Sequence, residues 1–180
     1  MSVIKSAGSL LSAVWLSLLL TGDLLAAGYQ HSLTVDKMTF DWSIEGENLA
    51  IKLSAPTKGW VGIGFHPKEQ MKDANIIIGF VKDGKVEIED DFGNQPTIHT
   101  ADTRREGKDN VTVIGGSETG NTTTLEFSIP LRSDDPNDGV IEPNGDTVVI
   151  LAYGPDRDSI KLKHQYAKTL TVNLGGGVMK

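Results

Sequence analysis

Along most of the chain after residue 27, hydrophobic and polar residues alternate in short runs. In residues 38–45 every second residue is a large hydrophobic one, and residues 49–53 and 61–65 repeat this pattern. Residues 76–81 are hydrophobic on both faces. Because successive side chains of a β-strand point to opposite faces, this pattern predicts strands with one buried face and a central strand at 76–81.

Clusters of Gly, Asn, Asp and Pro separate these runs. Asp83-Gly84, for example, provides the positive φ that a tight hairpin turn needs. We count about nine or ten short strands, and no run of more than about ten residues has the period of an amphipathic helix. The sequence therefore predicts an all-β antiparallel β-sandwich of immunoglobulin-like two-sheet architecture, with Gly93–Asn110 and Arg132–Asp146 as loops at its ends.

The first 27 residues differ from the rest and predict a secretory signal. Lys5 gives a positive start, Leu10–Leu20 is a hydrophobic core, and Leu25–Ala27 is a small-residue cleavage site. We expect cleavage after Ala27, which leaves residues 28–180 as one domain without a membrane span, in the periplasm or secreted. A retained N-terminal anchor is the alternative.

The chain has no cysteine and a net charge of −7. The absence of cysteine excludes disulfides, Cys-ligated zinc, iron–sulfur clusters and covalent attachment of a c-type haem. The acidic balance argues against nucleic-acid binding, which requires a basic face. GxSxG, HExxH and P-loop motifs are absent from the sequence, so we predict that the protein is not an enzyme.

The segment Gly59–Val81 reads GWVGIGFHPKEQMKDANIIIGFV. Its GWxGxGF strand, short loop, MxxAN and hydrophobic strand resemble the DOMON domain family, which is similar to the cytochrome domain of cellobiose dehydrogenase. Haem-binding members ligate iron with a methionine of the MxxA block and a late histidine, so the resemblance implies Met71 and His164 as axial ligands of a non-covalent haem b. Lys161 and Lys163 are reserve candidates, because some relatives place a lysine opposite the methionine.

The residues alone support these two ligands in part. Met71 stands among polar residues and belongs to no hydrophobic stripe, although a methionine covering the end of the sandwich is the alternative. His164 shares strand parity with Leu162 and Tyr166, which places it on the hydrophobic side of a predicted terminal strand. A hydrogen-bonded core histidine is the alternative there.

Four further residues are predicted to contact the cofactor. Trp60 and Phe65 flank the loop that carries Met71 and could pack on the porphyrin, and His66 could line its edge or contact a propionate. Tyr166 shares the predicted face of His164. We expect haem b at one end of the sandwich, between the Met71 loop and the His164 strand.

With both axial positions filled, haem iron has no open position for oxygen chemistry, so we predict one-electron transfer. The partner is then a separate redox protein, such as a membrane cytochrome or a dehydrogenase. An acidic surface favours a basic partner.

Two alternative functions remain open from the sequence. One is a non-haem module that binds a carbohydrate or another small ligand, as parts of the family are described. The other is a copper site, for which Met71, His66 and His164 are the donors.

Two further polar features are expected to be solvated. The Asp-rich stretch Ser133–Asp146 could hold calcium, but its spacing does not match an EF-hand, and we interpret it as a turn cluster. His31 and His99 are likewise expected to face solvent.

Overall fold

The computed structural model describes residues 28–180, so the predicted signal peptide lies outside the described residues. The described part forms twelve β-strands and one short 3-10 helix at Asp102–Arg104. The strands are β1 His31–Val35, β2 Met38–Glu45, β3 Asn48–Ala55, β4 Val61–Phe65, β5 Asn75–Lys82, β6 Lys85–Gln95, β7 Ile98–Ala101, β8 Thr112–Thr119, β9 Thr122–Pro130, β10 Asp146–Tyr153, β11 Tyr166–Asn173 and β12 Val178–Met179.

These strands form two antiparallel sheets, which confirms the predicted all-β sandwich. One sheet has the order β1-β2-β3-β9-β8, and the other has the order β12-β11-β10-β4-β5-β6-β7. Three strands were not predicted: β1, β7 and β12. They are short, and all lie at or next to a sheet edge, where one-sided burial leaves only a weak alternation.

The predicted loop Gly93–Asn110 is partly wrong. It contains the end of β6, all of β7 and the 3-10 helix. Pro96 interrupts the hydrophobic pattern there and hides the short hairpin, although Ile98 pairs with Gln95 and His99 with Gly93.

The main core lies between the two sheets and is built from alternate residues of each strand. In β4 it takes Val61, Ile63 and Phe65, each at most 1% exposed. Trp42 from β2 is fully buried there, and its Nε1 donates a hydrogen bond to the Leu174 carbonyl at 2.8 Å. The remaining positions of β4 and β5 therefore face outward, away from this core.

The outer face of the seven-stranded sheet carries a second hydrophobic cluster. Its buried members are Trp60, Ala74, Ile76, Ile78 and Phe80. Both faces of β5 are hydrophobic, as the sequence predicted for a central strand. The two faces belong to different hydrophobic clusters. One face meets the opposite sheet, and the other contributes to a cavity.

Within residues 28–180, no helix is long and hydrophobic enough to cross a membrane.

Candidate functional site

A cavity of about 820 Å³ lies on this outer face of the seven-stranded sheet. This volume falls in the range of about 300–1,000 Å³ that is typical of small-molecule and cofactor sites. Its floor consists of outward-facing strand residues: Gly62, Gly64, Ile76, Ile78, Ile150, Ala152, Ala167 and Thr169. The walls come from the segment around Met71, from β7 with the 3-10 helix, and from residues 160–164.

Two glycines leave space above the floor of the cavity, because they have no side chains. Gly62 and Gly64 are the outward-facing residues of β4, between the isoleucines of β5 and the residues of β10. A Cβ on Gly64 would make only ordinary contacts, the nearest with Ile76 Cγ1 at 3.4 Å. At Gly62 a Cβ would lie 3.1 Å from the Ile77 carbonyl oxygen, so close strand packing also favours glycine there. Without side chains at these two positions, a hydrophobic strip of the sheet is open to a planar ligand.

Met71 stands at the wall on a tightly folded loop between β4 and β5. Its amide donates to the Pro96 carbonyl at 3.1 Å, and its carbonyl accepts from Ala74 at 3.1 Å. Gln70 and Asp73 on either side have positive φ values of 51° and 62°. Met71 is half-buried and packs against the outer cluster, so the residue belongs to the cavity lining and not to the main core.

His164 reaches the cavity from the opposite wall. The residue is exposed and lies in the loop before β11, which differs from the predicted strand position and from the predicted hydrophobic face. β11 begins only at Tyr166, because residues 154–165 form an irregular loop. The alternation of Leu162, His164 and Tyr166 is therefore not strand periodicity.

Trp60 supports the loop that carries His164. Its indole is buried, and Nε1 donates a hydrogen bond to the Leu162 carbonyl at 3.1 Å. Gly154, at the start of the loop, donates its amide to the Trp60 carbonyl at 2.9 Å, and a Cβ on Gly154 would overlap the indole ring. At Gly59 a Cβ would overlap the Pro155 carbonyl oxygen. Gly59 and Trp60 thus support this loop through close packing and hydrogen bonds.

The site also contains a polar wall that the sequence interpretation missed. His99 on β7 and Asp91 on β6 both line the cavity, and His99 Nδ1 lies 2.5 Å from Asp91 Oδ2. The Asp91 side chain is only 3% exposed, and its Oδ1 has no hydrogen-bond partner. Glu89 and Arg104 line the same region. His99 was expected to face solvent, because β7 was not predicted. The one sequence signal for this strand was the step from hydrophobic Ile98 to polar His99.

Three predicted cofactor contacts lie outside the cavity lining. Phe65 is fully buried in the main core, on the opposite side of the sheet. Tyr166 stacks on Tyr153 at a centroid distance of 5.2 Å, and its hydroxyl donates to Asp36 at 2.9 Å. His66 has a φ of 55° and donates its amide to the Val148 carbonyl at 2.9 Å. Of the six predicted residues, the structure brings together Met71, His164 and Trp60.

Positive charge borders the cavity on the His164 side. Lys161 and Lys163 contribute to the lining there, and Arg104 contributes from the polar wall. Partial burial, and then the charge of Lys163, lower the pKa of His164. A lowered pKa favours the neutral imidazole, which is the form that binds metals.

Comparison with known proteins gives a family and several relatives. The model of the DOMON domain matches residues 34–154. DBH-like monooxygenase protein 1 of Homo sapiens is 33% identical over 77% of this chain, and the Mus musculus protein of that name is 32% identical over 71%. The chain spans 24% and 21% of the lengths of these two relatives, about a quarter to a fifth.

Two solved structures share the fold. The cytochrome b domain of pyranose dehydrogenase from Coprinopsis cinerea has a TM-score of 0.61 at 14% identity, over 78% of each chain. The cytochrome domain of Myriococcum thermophilum cellobiose dehydrogenase has a TM-score of 0.59 at 13% identity, over 78% of this chain and 79% of that one. At such identities the likeness is one of fold.

Proposed function

The chain belongs to the DOMON domain family, and on that premise we propose that it binds haem b non-covalently in the outer-face cavity. The observation that carries the proposal is that Met71 and His164, which stand on separate loops, line one cavity with a hydrophobic floor. A methionine sulfur and a neutral imidazole are a known ligand pair for haem iron. The two structural neighbours named as cytochrome domains have the same fold.

The residues around the cavity fit such a group. Met71 and His164 would hold the iron, and the floor of Gly62 and Gly64 leaves space for the macrocycle. Arg104, Lys161 and Lys163 would pair with the propionates, since guanidinium and ammonium groups form charge-assisted hydrogen bonds with carboxylates. When bound, haem supplies one-electron redox chemistry. The chain itself orients the group and shields one of its faces from water.

We further propose that the protein transfers electrons and does not catalyse a reaction of its own. The partner would be a separate redox protein, such as a membrane cytochrome or a dehydrogenase, and the net charge of −7 favours one with a basic surface. The names of the relatives describe them as DBH-like monooxygenases, but this chain spans less than a quarter of their lengths. Export to the periplasm or the exterior remains part of the proposal.

A second candidate function is binding of a non-haem polar ligand such as a carbohydrate. The polar wall favours it, because Asp91, His99 and Glu89 present hydrogen-bonding groups to the same cavity in which Trp60 offers an aromatic ring. We do not propose a copper site, since His66 lies outside the cavity that Met71 and His164 line.

An absorption spectrum taken after haem addition tests the proposal. We expect a Soret band with the sharp features of low-spin iron, and we expect Met71→Ala and His164→Ala each to lose the low-spin form. Met179→Ala and His31→Ala are matched controls that lie outside the cavity lining, and they should bind as the unsubstituted protein does. A folded protein without a Soret band would contradict the proposal, and carbohydrate titration would then test the second candidate.

A further inference from the structure

Three buried aspartates meet at one place behind the polar wall. Asp90 is 3% exposed, Asp102 is 1% exposed and Asp138 is 6% exposed. One carboxylate oxygen of each lies within 4.8 Å of those of the other two. They come from β6, the 3-10 helix and the loop between β9 and β10, so distant parts of the sequence supply them.

Several oxygens of this cluster lack hydrogen-bond partners within residues 28–180. Asp90 Oδ2 accepts the Asn110 amide at 2.9 Å, but Asp90 Oδ1 and Asp102 Oδ1 have no hydrogen bond. Both oxygens of Asp138 are buried, and the Ser133 hydroxyl is placed to donate a hydrogen bond to this carboxylate. Asn110 Oδ1, beside the cluster, is unpartnered as well. Buried carboxylates without partners are costly, so the arrangement calls for a compensating positive charge.

No ion pair within residues 28–180 supplies that charge, although the charge of Arg105 acts on Asp102 from a distance. The ion pairs found in residues 28–180 involve none of these three aspartates. Three clustered carboxylates therefore face each other with no lysine, arginine or histidine paired to them.

The surrounding backbone is shaped to bring the ligands together. Gly107 donates its amide to the Asp102 carbonyl at 2.9 Å, and a Cβ on Gly107 would lie 2.6 Å from Asn137 Nδ2. The absence of a side chain at this point lets the turn after Asp102 approach the loop of Asp138. A second cavity of about 230 Å³, lined in part by Asp90, leaves room for water beside the cluster.

We propose that Asp90, Asp102 and Asp138 form a binding site for one Ca²⁺ ion. The donors are all hard oxygens, which Ca²⁺ and Mg²⁺ prefer, and oxygens up to about 4.8 Å apart can share one ion at about 2.4 Å. Ca²⁺ tolerates irregular ligand sets completed by water, whereas Mg²⁺ requires a near-ideal octahedron. The ion would tie β6 and the 3-10 helix to the β9–β10 loop, and the site does not depend on haem binding.

Calcium titration of chelator-treated protein tests the site directly. We expect calorimetry to show one ion per chain. With a dissociation constant of about 10⁻⁴–10⁻³ M, 10 mM Ca²⁺ should lower the unfolding equilibrium constant about 10- to 100-fold. No binding up to 10 mM would overturn the proposal, and a response to Mg²⁺ equal to that to Ca²⁺ would overturn the assignment of the ion.

A pair of variants of the same loop localises the effect. Asp138→Asn keeps the shape of the side chain and removes a ligand charge, so it should abolish the stabilisation by Ca²⁺. Asp134→Asn is the matched control, because the Asp134 side chain is 76% exposed and outside the cluster. It should respond to Ca²⁺ as the unsubstituted protein does. Equal responses of the two variants would overturn the assignment, and the calorimetric titration decides the matter if Asp138→Asn does not fold.

Discussion

Gly93 of β6 lies directly against the backbone of Met71. The Asp73 amide donates to the Gly93 carbonyl at 2.6 Å, and the Gly93 amide donates to the Ala74 carbonyl at 2.9 Å. A Cβ on Gly93 would overlap the Met71 carbonyl oxygen. The position of Met71 at the cavity wall therefore depends on a residue without a side chain on the neighbouring strand.

Gly93→Ala should displace the Met71 loop without straining its own backbone, since φ at Gly93 is not positive. We expect the haem complex to lose part of its low-spin absorption, and the loss should resemble that of Met71→Ala. Gly115→Ala is the control, because a Cβ there meets nothing within 4 Å. An unchanged spectrum for Gly93→Ala would show that the position of Met71 does not depend on this contact.

Gly64→Val tests the floor of the cavity. The added side chain fits the strand, because β-branched residues favour β structure and a Cβ at Gly64 makes only ordinary contacts. It fills space above the sheet, so we expect haem affinity to fall at least about tenfold, which is roughly 1.4 kcal/mol of binding free energy. Titration by absorbance measures the affinity, and urea unfolding should show stability that is not reduced. Unchanged affinity would place the ligand elsewhere.

Trp60→Phe tests whether Trp60 supports the loop that carries His164. It removes the Nε1 hydrogen bond to Leu162 and keeps most of the ring, so stability should fall by about 1 kcal/mol. Trypsin should also cut faster after Arg157, Lys161 and Lys163, all of which lie in the loop. Trp42→Phe is the matched control, since it loses a similar bond in the main core. It should cost similar stability without exposing the loop, and equal cleavage in both variants would contradict the assignment.

His66 should make stability depend on pH. Burial lowers its folded-state pKa below 6.5, so the unfolded chain takes up the proton at a higher pH than the folded chain does. Stability is then fully present above about pH 6.5 and is lost as pH falls from there through the folded-state pKa. Urea unfolding at pH 7.5 and pH 5.5 should show a smaller loss for His66→Asn, in which asparagine tolerates the φ of 55°. The comparison cancels other titrating groups, and identical losses in the two proteins would refute the role of His66.

The sandwich could be predicted because its core strands obey a simple rule. In β2 and β4 every second residue is buried between the sheets, and that alternation is visible in the sequence. The β6–β7 hairpin could not be recognised, because Pro96 breaks its pattern and Ile98 is 46% exposed. His99 was for this reason assigned to solvent, although it pairs with a buried carboxylate.

The candidate site could be predicted only in part. Resemblance to the family indicated Met71 and His164, and the structure places both on one cavity. Its location on the outside of a sheet could not be read from the sequence, since parity separates two faces without saying which one a ligand uses. The stretch Ser133–Asp146 was interpreted as a solvated turn cluster, which is wrong for Asp138, because that residue is 6% exposed. Its grouping with Asp90 and Asp102 could not be predicted, because these residues are up to 48 positions apart and only the closed fold brings them together.

The alternation within β4 has a consequence for how such a protein can diversify. Val61, Ile63 and Phe65 hold the sheets together, while Gly62 and Gly64 shape the cavity. A side chain at Gly64 would make only ordinary contacts and would add atoms on the cavity side alone, because the two sets face opposite sides of a single sheet. The shape of the cavity can thus change at Gly64 while the opposite face of the same strand keeps the two sheets packed.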